Sequence, residues 1–281
     1  MEPEDRYYTS SRLKLHYAAW GDESKPALLL IHGGRDHCRS WDFAAQALTD
    51  DYACYALDLR GHGDSEWSSS GDYRTVNHVR DIARLIDVLG RDRVSIIAHS
   101  MGGRITLDLA GAFPERVERL VVIEGFGWRV WNDDDAAKQA RGYVLQSWDV
   151  EKRRPHVYQT IDAAAERMKE ANPRLSSEML LHLTRHALRP VDGGYAWKFD
   201  NFVHLRPPPD WTMEQTKATW AHIEAPLLLL WGTLSNFPLK DALSQSLPKA
   251  RQVTLEGAGH WVQHDRLDEV VRLAREHLAG P

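Results

Sequence analysis

Arg93-Val-Ser-Ile-Ile-Ala-His-Ser-Met-Gly-Gly103 is an apolar run that meets Ser100 and then a pair of glycines, with Leu107, Leu109 and Ala110 following at helical spacing. It predicts a strand that turns at once into a helix. A single Ser at such a turn is held in a sharp, strained bend with its hydroxyl clear of both elements. The start of the helix aims unpaired N–H groups at whatever that oxygen attacks. The bend requires small residues two positions before and after the Ser, and here they are Ala98 and Gly102. Ser100 is therefore the candidate nucleophile, against the plainer reading of a Ser in an ordinary strand-to-helix turn.

Outward from this stretch the pattern repeats. Ala27-Leu-Leu-Leu-Ile31, Tyr52-Ala-Cys-Tyr-Ala-Leu57, Leu120-Val-Val-Ile123, Leu227-Leu-Leu-Leu-Trp231 and Gln252-Val-Thr-Leu255 are short apolar runs. Runs apolar on both faces suit parallel strands covered by helices on each side. Helical spacing fills the gaps at Trp41 to Leu48, Val76 to Leu89, Ile105 to Ala112 and Leu267 to Leu278, and Tyr7 to Trp20 alternates as a hairpin does. The fold class is α/β, a doubly wound, mostly parallel sheet.

The alternation breaks from Phe126 to His222, where only helix-like and loop-like segments are visible. Ile161 to Ala171 and Ser177 to Leu188 read as helices stopped ahead of Pro173 and Pro190, and Thr212 with Gln215 has the spacing of a capping box. Arg206-Pro-Pro-Pro-Asp210 reads as a stiff linker. This divides the chain into a core (1–125), an inserted helical cap or lid (126–222) and a second core segment (223–281). The insertion holds six of the eleven Trp residues: Trp128, Trp131, Trp148, Trp197, Trp211 and Trp220. That enrichment suits a lid with an aromatic pocket, because small-molecule sites are mostly apolar walls. Trp128, Trp131 and Trp261 are the pocket candidates.

A net charge of −5 leaves no electrostatic footprint for nucleic acid or an anionic membrane. Met1-Glu-Pro-Glu-Asp-Arg6 is acidic, and no stretch has the length of a membrane span, so no stable membrane insertion and a cytoplasmic location are expected. Two cysteines, Cys38 and Cys54, make neither a disulfide framework nor a zinc cluster.

Four motifs together, each after an expected strand, carry a resemblance. They are Ile31-His-Gly-Gly34, Asp58-Leu-Arg-Gly-His-Gly-Asp-Ser65, Ala98-His-Ser-Met-Gly-Gly103 and Gly257-Ala-Gly-His260. Over nearly its whole length the chain resembles a capped α/β-hydrolase, of the serine-hydrolase-like branch near the haloalkane dehalogenases. Its usual elbow is G-x-S-x-G, from which Ala98 departs by one methyl. A Ser hydroxyl needs a base, and His suits that task near neutrality. Of fourteen His, His260 is favoured by its Gly-rich turn, and the resemblance makes it the general base. Among its rivals, strand alternation points His99 away from the site, His62 reads as structural and His264 as surface. His182 and His186 are spaced i, i+4 without the Glu of a zinc-protease motif.

The family commonly takes its acid three residues after the Gly that here is Gly232, but that position is Ser235, followed by Asn236. Another branch places the acid just past the strand after the nucleophile helix, and there this chain has Glu124. The resemblance thus implies Ser100, His260 and Glu124 as a triad, against a Glu124 that pairs with an Arg such as Arg104 or faces water. Its oxyanion hole would use the N–H of Met101, at the helix start, and, by the same resemblance, that of Gly34.

Ser at the elbow argues against the dehalogenases and epoxide hydrolases of this fold, which use Asp there. The implied reaction is acyl transfer to water, with a small apolar or aromatic carboxylic ester or lactone as substrate, no cofactor and no metal. A C–C bond hydrolase, a thioesterase or amidase, and a catalytically weak ligand receptor are the alternatives; oligomeric state is left open.

Overall fold

A computed structural model of the chain describes residues 1–125, 136–205, 207, 211–236 and 240–280. The alternating N-terminal run forms an antiparallel hairpin, β1 (Glu4–Ser10) and β2 (Leu13–Trp20), reversed by left-handed backbone at Ser11 and Arg12. Next come β3 (Ala27–Ile31), α1 (Asp42–Leu48), β4 (Ala53–Leu57), α2 (Thr75–Val88), β5 (Val94–His99), α3 (Met101–Ala112) and β6 (Val117–Ile123). From residue 136 the order is α4 (Ala136–Glu151), α5 (Ile161–Ala171), α6 (Ser177–Ala187), β7 (Leu188–Val191), β8 (Gly194–Trp197) and α7 (Met213–Trp220). The sheet resumes with β9 (Leu227–Gly232), α8 (Lys240–Ser246), β10 (Arg251–Leu255), α9 (Val262–Asp265) and α10 (Leu267–Ala279).

Eight strands form one sheet in the order β1-β2-β4-β3-β5-β6-β9-β10, antiparallel only at β1–β2 and β2–β4. Strand alternation sorts the apolar residues onto two faces. Leu29, Ile31, Ile96 and Ala98 pack with residues of α2 and α3, whereas Leu28, Leu30 and Ile97 pack with residues of α1 and α10. Both cysteines are buried and free, Cys54 inside this second core.

The chain runs from β3 to β4 on one side and returns to β5 on the other. That reversal leaves a crevice beyond the carboxyl ends of β3 and β5, where open α/β sheets place their ligands. The loop holding Gly33 and Gly34 and the elbow at Ser100 follow those two strands directly.

The sequence predicts only helices and loops between β6 and β9, but the structure adds the ribbon β7–β8. Each strand has four residues, too few for an alternation to register, and the turn between them is Asp192-Gly193 with Gly193 left-handed at φ 81°. Asp-Gly is a strong hairpin signal, masked here by Pro190 on the neighbouring strand. This segment grips the core at several points. Asp200 N–H donates to Gly61 C=O (2.8 Å), Tyr73 OH donates to Asp200 (2.5 Å), and Lys198 pairs with Asp64 (2.7 Å). The predicted capping box at Thr212 and Gln215 is present and opens α7. Trp220, at the end of α7, donates its indole N–H to Asp108 (2.7 Å), so α7 is fastened to α3. No helix among the described residues is long and apolar enough to cross a membrane.

Candidate active site

Ser100 has φ 51° and ψ −118°, a conformation that few non-glycine residues adopt. Such strain persists only where surrounding bonds over-determine it. Here the Ser100 N–H donates to Ile123 C=O at 2.9 Å and its carbonyl accepts from Arg104 N–H at 3.2 Å. Gly102 explains the small residue after the Ser. A Cβ there would lie 2.5 Å from the His32 carbonyl and 2.7 Å from that of Ile31. Ala98, the departure from glycine, is buried without exposure in the core face shared with α2 and α3.

The structure brings Ser100, His260 and Glu124 together. His260 Nε2 lies 2.9 Å from Ser100 Oγ, and His260 Nδ1 lies 3.5 Å from Glu124 Oε2. The first distance is a formed hydrogen bond. The second is an ion-pair distance, longer than a formed N–H···O bond; such contacts in ligand-free sites commonly tighten when substrate binds. Glu124 is fully buried and also left-handed, at φ 49°. Its Oε1 accepts from Gly232 N–H (2.7 Å) and its Oε2 from the Ser235 hydroxyl (2.7 Å). A buried carboxylate is costly unless hydrogen-bonded, and these two donors satisfy it. The alternative partner, Arg104, pairs instead with Asp108 at 2.9 Å.

His99 corrects the sequence reading. Strand alternation sends its side chain beneath the site instead of away from it. Its Nε2–H donates to the carbonyl of His260 (2.9 Å), and the two rings are 4.8 Å apart. Burial holds His99 well below the usual histidine range, so it acts as a neutral donor. Sequence spacing contained no signal for this contact, since its partner lies 161 residues away. His264 also differs from expectation. It is partly buried beside Trp261, and burial pushes its pKa down to about 3. His62 is fully enclosed and bonds the Arg60 carbonyl (3.0 Å), consistent with a structural residue.

Gly34 and Met101 both line the crevice, and an added Cβ on Gly34 would touch Met101 Sδ at 3.8 Å. The orientation of the Gly34 amide is set by His32. Its Nδ1–H donates to Gly33 C=O (2.6 Å), while its Nε2 accepts from Leu59 N–H (3.0 Å). In a trans peptide the C=O and the next N–H point opposite ways, so the Gly34 N–H faces away from His32. Burial keeps His32 near a pKa of about 4, which preserves the tautomer this needs.

The crevice opens into a cavity of about 910 Å³. Trp197, Phe199, Trp211, Leu175, Val203 and Trp261 supply apolar wall. Of the three Trp singled out in the sequence, Trp261 lines this cavity. Trp128 and Trp131 lie outside the described residues, as does the Arg206–Asp210 linker apart from Pro207. Trp148, by contrast, is 54% exposed and away from the cavity. Asp36 is a buried carboxyl on the wall. Burial raises its pKa to about 7 despite hydrogen bonds from His37 N–H and the Ser40 hydroxyl.

Among the described residues, two clusters have metal-ligand composition: His16 with Cys38 and Asp58, and Asp42 with His182 and His186. Both carboxylates are already engaged. Asp58 accepts from Cys38 N–H, Asp64 N–H and His16, and Asp42 accepts from Arg39 on both oxygens. They read as structural knots, and the second ties α6 to the core.

Residues 26–267 match the family model for the alpha/beta hydrolase fold, and the chain belongs to that family. A "serine hydrolase-like protein" of Danio rerio is 28% identical over 88% of this chain and 80% of its own length. "Haloalkane dehalogenase 2" of Mycobacterium tuberculosis is 30% identical over 95% of this chain and 92% of its own. The "thioesterase domain from curacin biosynthetic pathway" superposes with a TM-score of 0.87 at 23% identity, covering 98% of this chain and 99% of that one. Family and relatives together support hydrolase activity; their names span several scissile bonds.

Proposed function

We propose that this chain is a serine hydrolase that cleaves a carboxylic ester or lactone bearing apolar or aromatic groups, through an acyl-enzyme on Ser100. The observation that carries the proposal is the alignment of Ser100 Oγ, hydrogen-bonded to His260 Nε2 (2.9 Å), with His260 Nδ1 at ion-pair distance from Glu124 (3.5 Å). His260 takes the Ser100 proton as the hydroxyl attacks the carbonyl carbon. Glu124 fixes the imidazole tautomer and stabilises the imidazolium that forms. The N–H groups of Met101 and Gly34 receive the oxyanion, each donor contributing of order 10²–10³ in rate. His260 then protonates the leaving alcohol, and a water activated by the same ring releases the acid.

A hydroxyl at residue 100 supports this reading over the dehalogenase chemistry of one relative, because that chemistry needs a carboxylate nucleophile. Residues 126–222 serve in this reading as a cap over the crevice, between core segments 1–125 and 223–281. The aromatic wall formed by Trp197, Trp211 and Trp261 favours an apolar acyl or alcohol group.

A panel of p-nitrophenyl esters, aryl lactones, acyl thioesters and a vinylogous diketone ring-cleavage product tests the assignment. Ester or lactone turnover abolished by Ser100→Ala is expected. Turnover of the diketone or thioester alone would overturn the ester reading.

A further inference from the structure

The loop that carries His260 is held from two directions. From below, His99 donates to the His260 carbonyl. From the outer side, the Gly259 N–H donates to Asp265 Oδ2 (2.7 Å), and that same oxygen accepts from Arg174 Nε (3.0 Å). Arg174 lies in the connection between α5 and α6, in the segment read above as the cap. Its guanidinium packs directly on Gly259, occupying the space a side chain there would need, since a Cβ would fall 1.4 Å from a terminal guanidinium nitrogen. Asp265 is nearly buried, at 7% exposure, and Arg174 is 45% exposed at the cavity wall.

We propose that Arg174 is a positioning residue through which the segment between β6 and β9 sets the register of the catalytic histidine. The inference rests on the Ser100–His260 reading above. The physical argument is one of shared restraint. The peptide units on either side of the Gly259–His260 pair have one anchor each: the Asp265 carboxylate holds the Gly259 amide and His99 holds the His260 carbonyl. Asp265 alone holds the amide with a carboxylate free to rotate about its side-chain torsions. The Arg174 Nε–H bond to Oδ2 (3.0 Å) adds a charge-assisted restraint on that carboxylate, on the oxygen that also holds the Gly259 amide. Among the described residues the Arg174 guanidinium meets Asp265 and Gly259, so its influence on His260 travels through them.

The test uses a small fluorophosphonate, whose reaction at Ser100 needs His260 but little of the cavity. Wild type, Arg174→Ala, Arg174→Lys, Asp265→Asn and the Arg174→Ala/Asp265→Asn double variant are compared for the limiting labelling rate and the half-saturating concentration. Arg174→Ala is expected to slow the limiting rate about tenfold, within the 10²-fold that a small misplacement of a catalytic group costs. Half-saturation should stay nearly constant, Arg174→Lys should recover part of the rate, and the double variant should be no slower than Asp265→Asn. An unchanged limiting rate in Arg174→Ala, or an effect on half-saturation alone, overturns the positioning role while leaving the serine-hydrolase reading intact. Failure of wild-type protein to label at Ser100 removes both. Because Arg174 is half-exposed, its variants retain the fold, and melting curves verify it.

Discussion

The hydroxyl of Ser235 donates to Glu124 Oε2 across 2.7 Å, and it is this oxygen that faces His260 Nδ1. In the proposed triad, Ser235 therefore supports the carboxylate assigned to orient His260. Glu124→Gln should lower kcat by of order 10³–10⁴, because the amide cannot fix the imidazole tautomer or stabilise its charge. Ser235→Ala removes one of the two hydrogen bonds that Glu124 accepts but leaves its carboxylate in place, and should lower kcat by no more than about ten- to a hundredfold, since such a bond is worth roughly 1.5–3 kcal/mol. Steady-state kinetics of both variants decides. The opposite ranking would move the acid from Glu124.

The same contact makes a rescue testable. Ser235→Asp in the Glu124→Gln background puts a carboxylate beside the vacated position, and kcat should recover at least tenfold over Glu124→Gln alone. No recovery would mean that residue 235 cannot reach the His260 ring.

His99→Phe keeps an aromatic ring under His260 but removes the donor to its carbonyl. A drop in kcat of about tenfold with little change in KM is expected, as for other small misplacements of a catalytic group.

Gly102→Ala places a methyl against two backbone carbonyls at 2.5 and 2.7 Å, neither of which can rotate aside. Overpacking of this kind costs typically 1–3 kcal/mol, so a lower Tm and loss of activity should appear together.

Asp36 supplies a pH dependence. Burial raises its pKa from 3.8 in the unfolded chain to about 7. Between those values the folded protein retains a proton that the unfolded chain has released. Its contribution to stability is therefore full below about pH 4 and is lost as pH rises toward 7. The loss amounts to roughly 4 kcal/mol at 1.36 kcal/mol per pKa unit. Asp36→Asn should flatten the fall in Tm between pH 5 and pH 8, and an unchanged slope would exclude Asp36 as its source.

The elements built from uniform local patterns were legible in the sequence. The apolar run at Ala27–Ile31 is β3, that at Leu227–Trp231 is β9 but for its last residue, Gly232, Ile161–Ala171 is α5 with the bounds its periodicity implied, and Thr212 caps α7. The positions of Ser100, His260 and Glu124 followed from motifs at strand ends, and the topology brings those ends to one crevice. What escaped was non-local. The ribbon β7–β8 is too short for alternation to register. His99 bonds a carbonyl 161 residues away, and Arg174 meets Asp265 across 91 residues. Contacts of this kind depend on how finished elements pack, which no window of sequence contains.

The central claim is that His260, oriented by Glu124, activates Ser100. It is tested most directly by intact-mass and peptide mapping of protein treated with a fluorophosphonate. One adduct on the peptide holding Ser100 is expected, forming at least 10³-fold more slowly in His260→Ala and markedly more slowly in Glu124→Gln. An adduct on another residue, or a Ser100 labelling rate indifferent to His260, would contradict it.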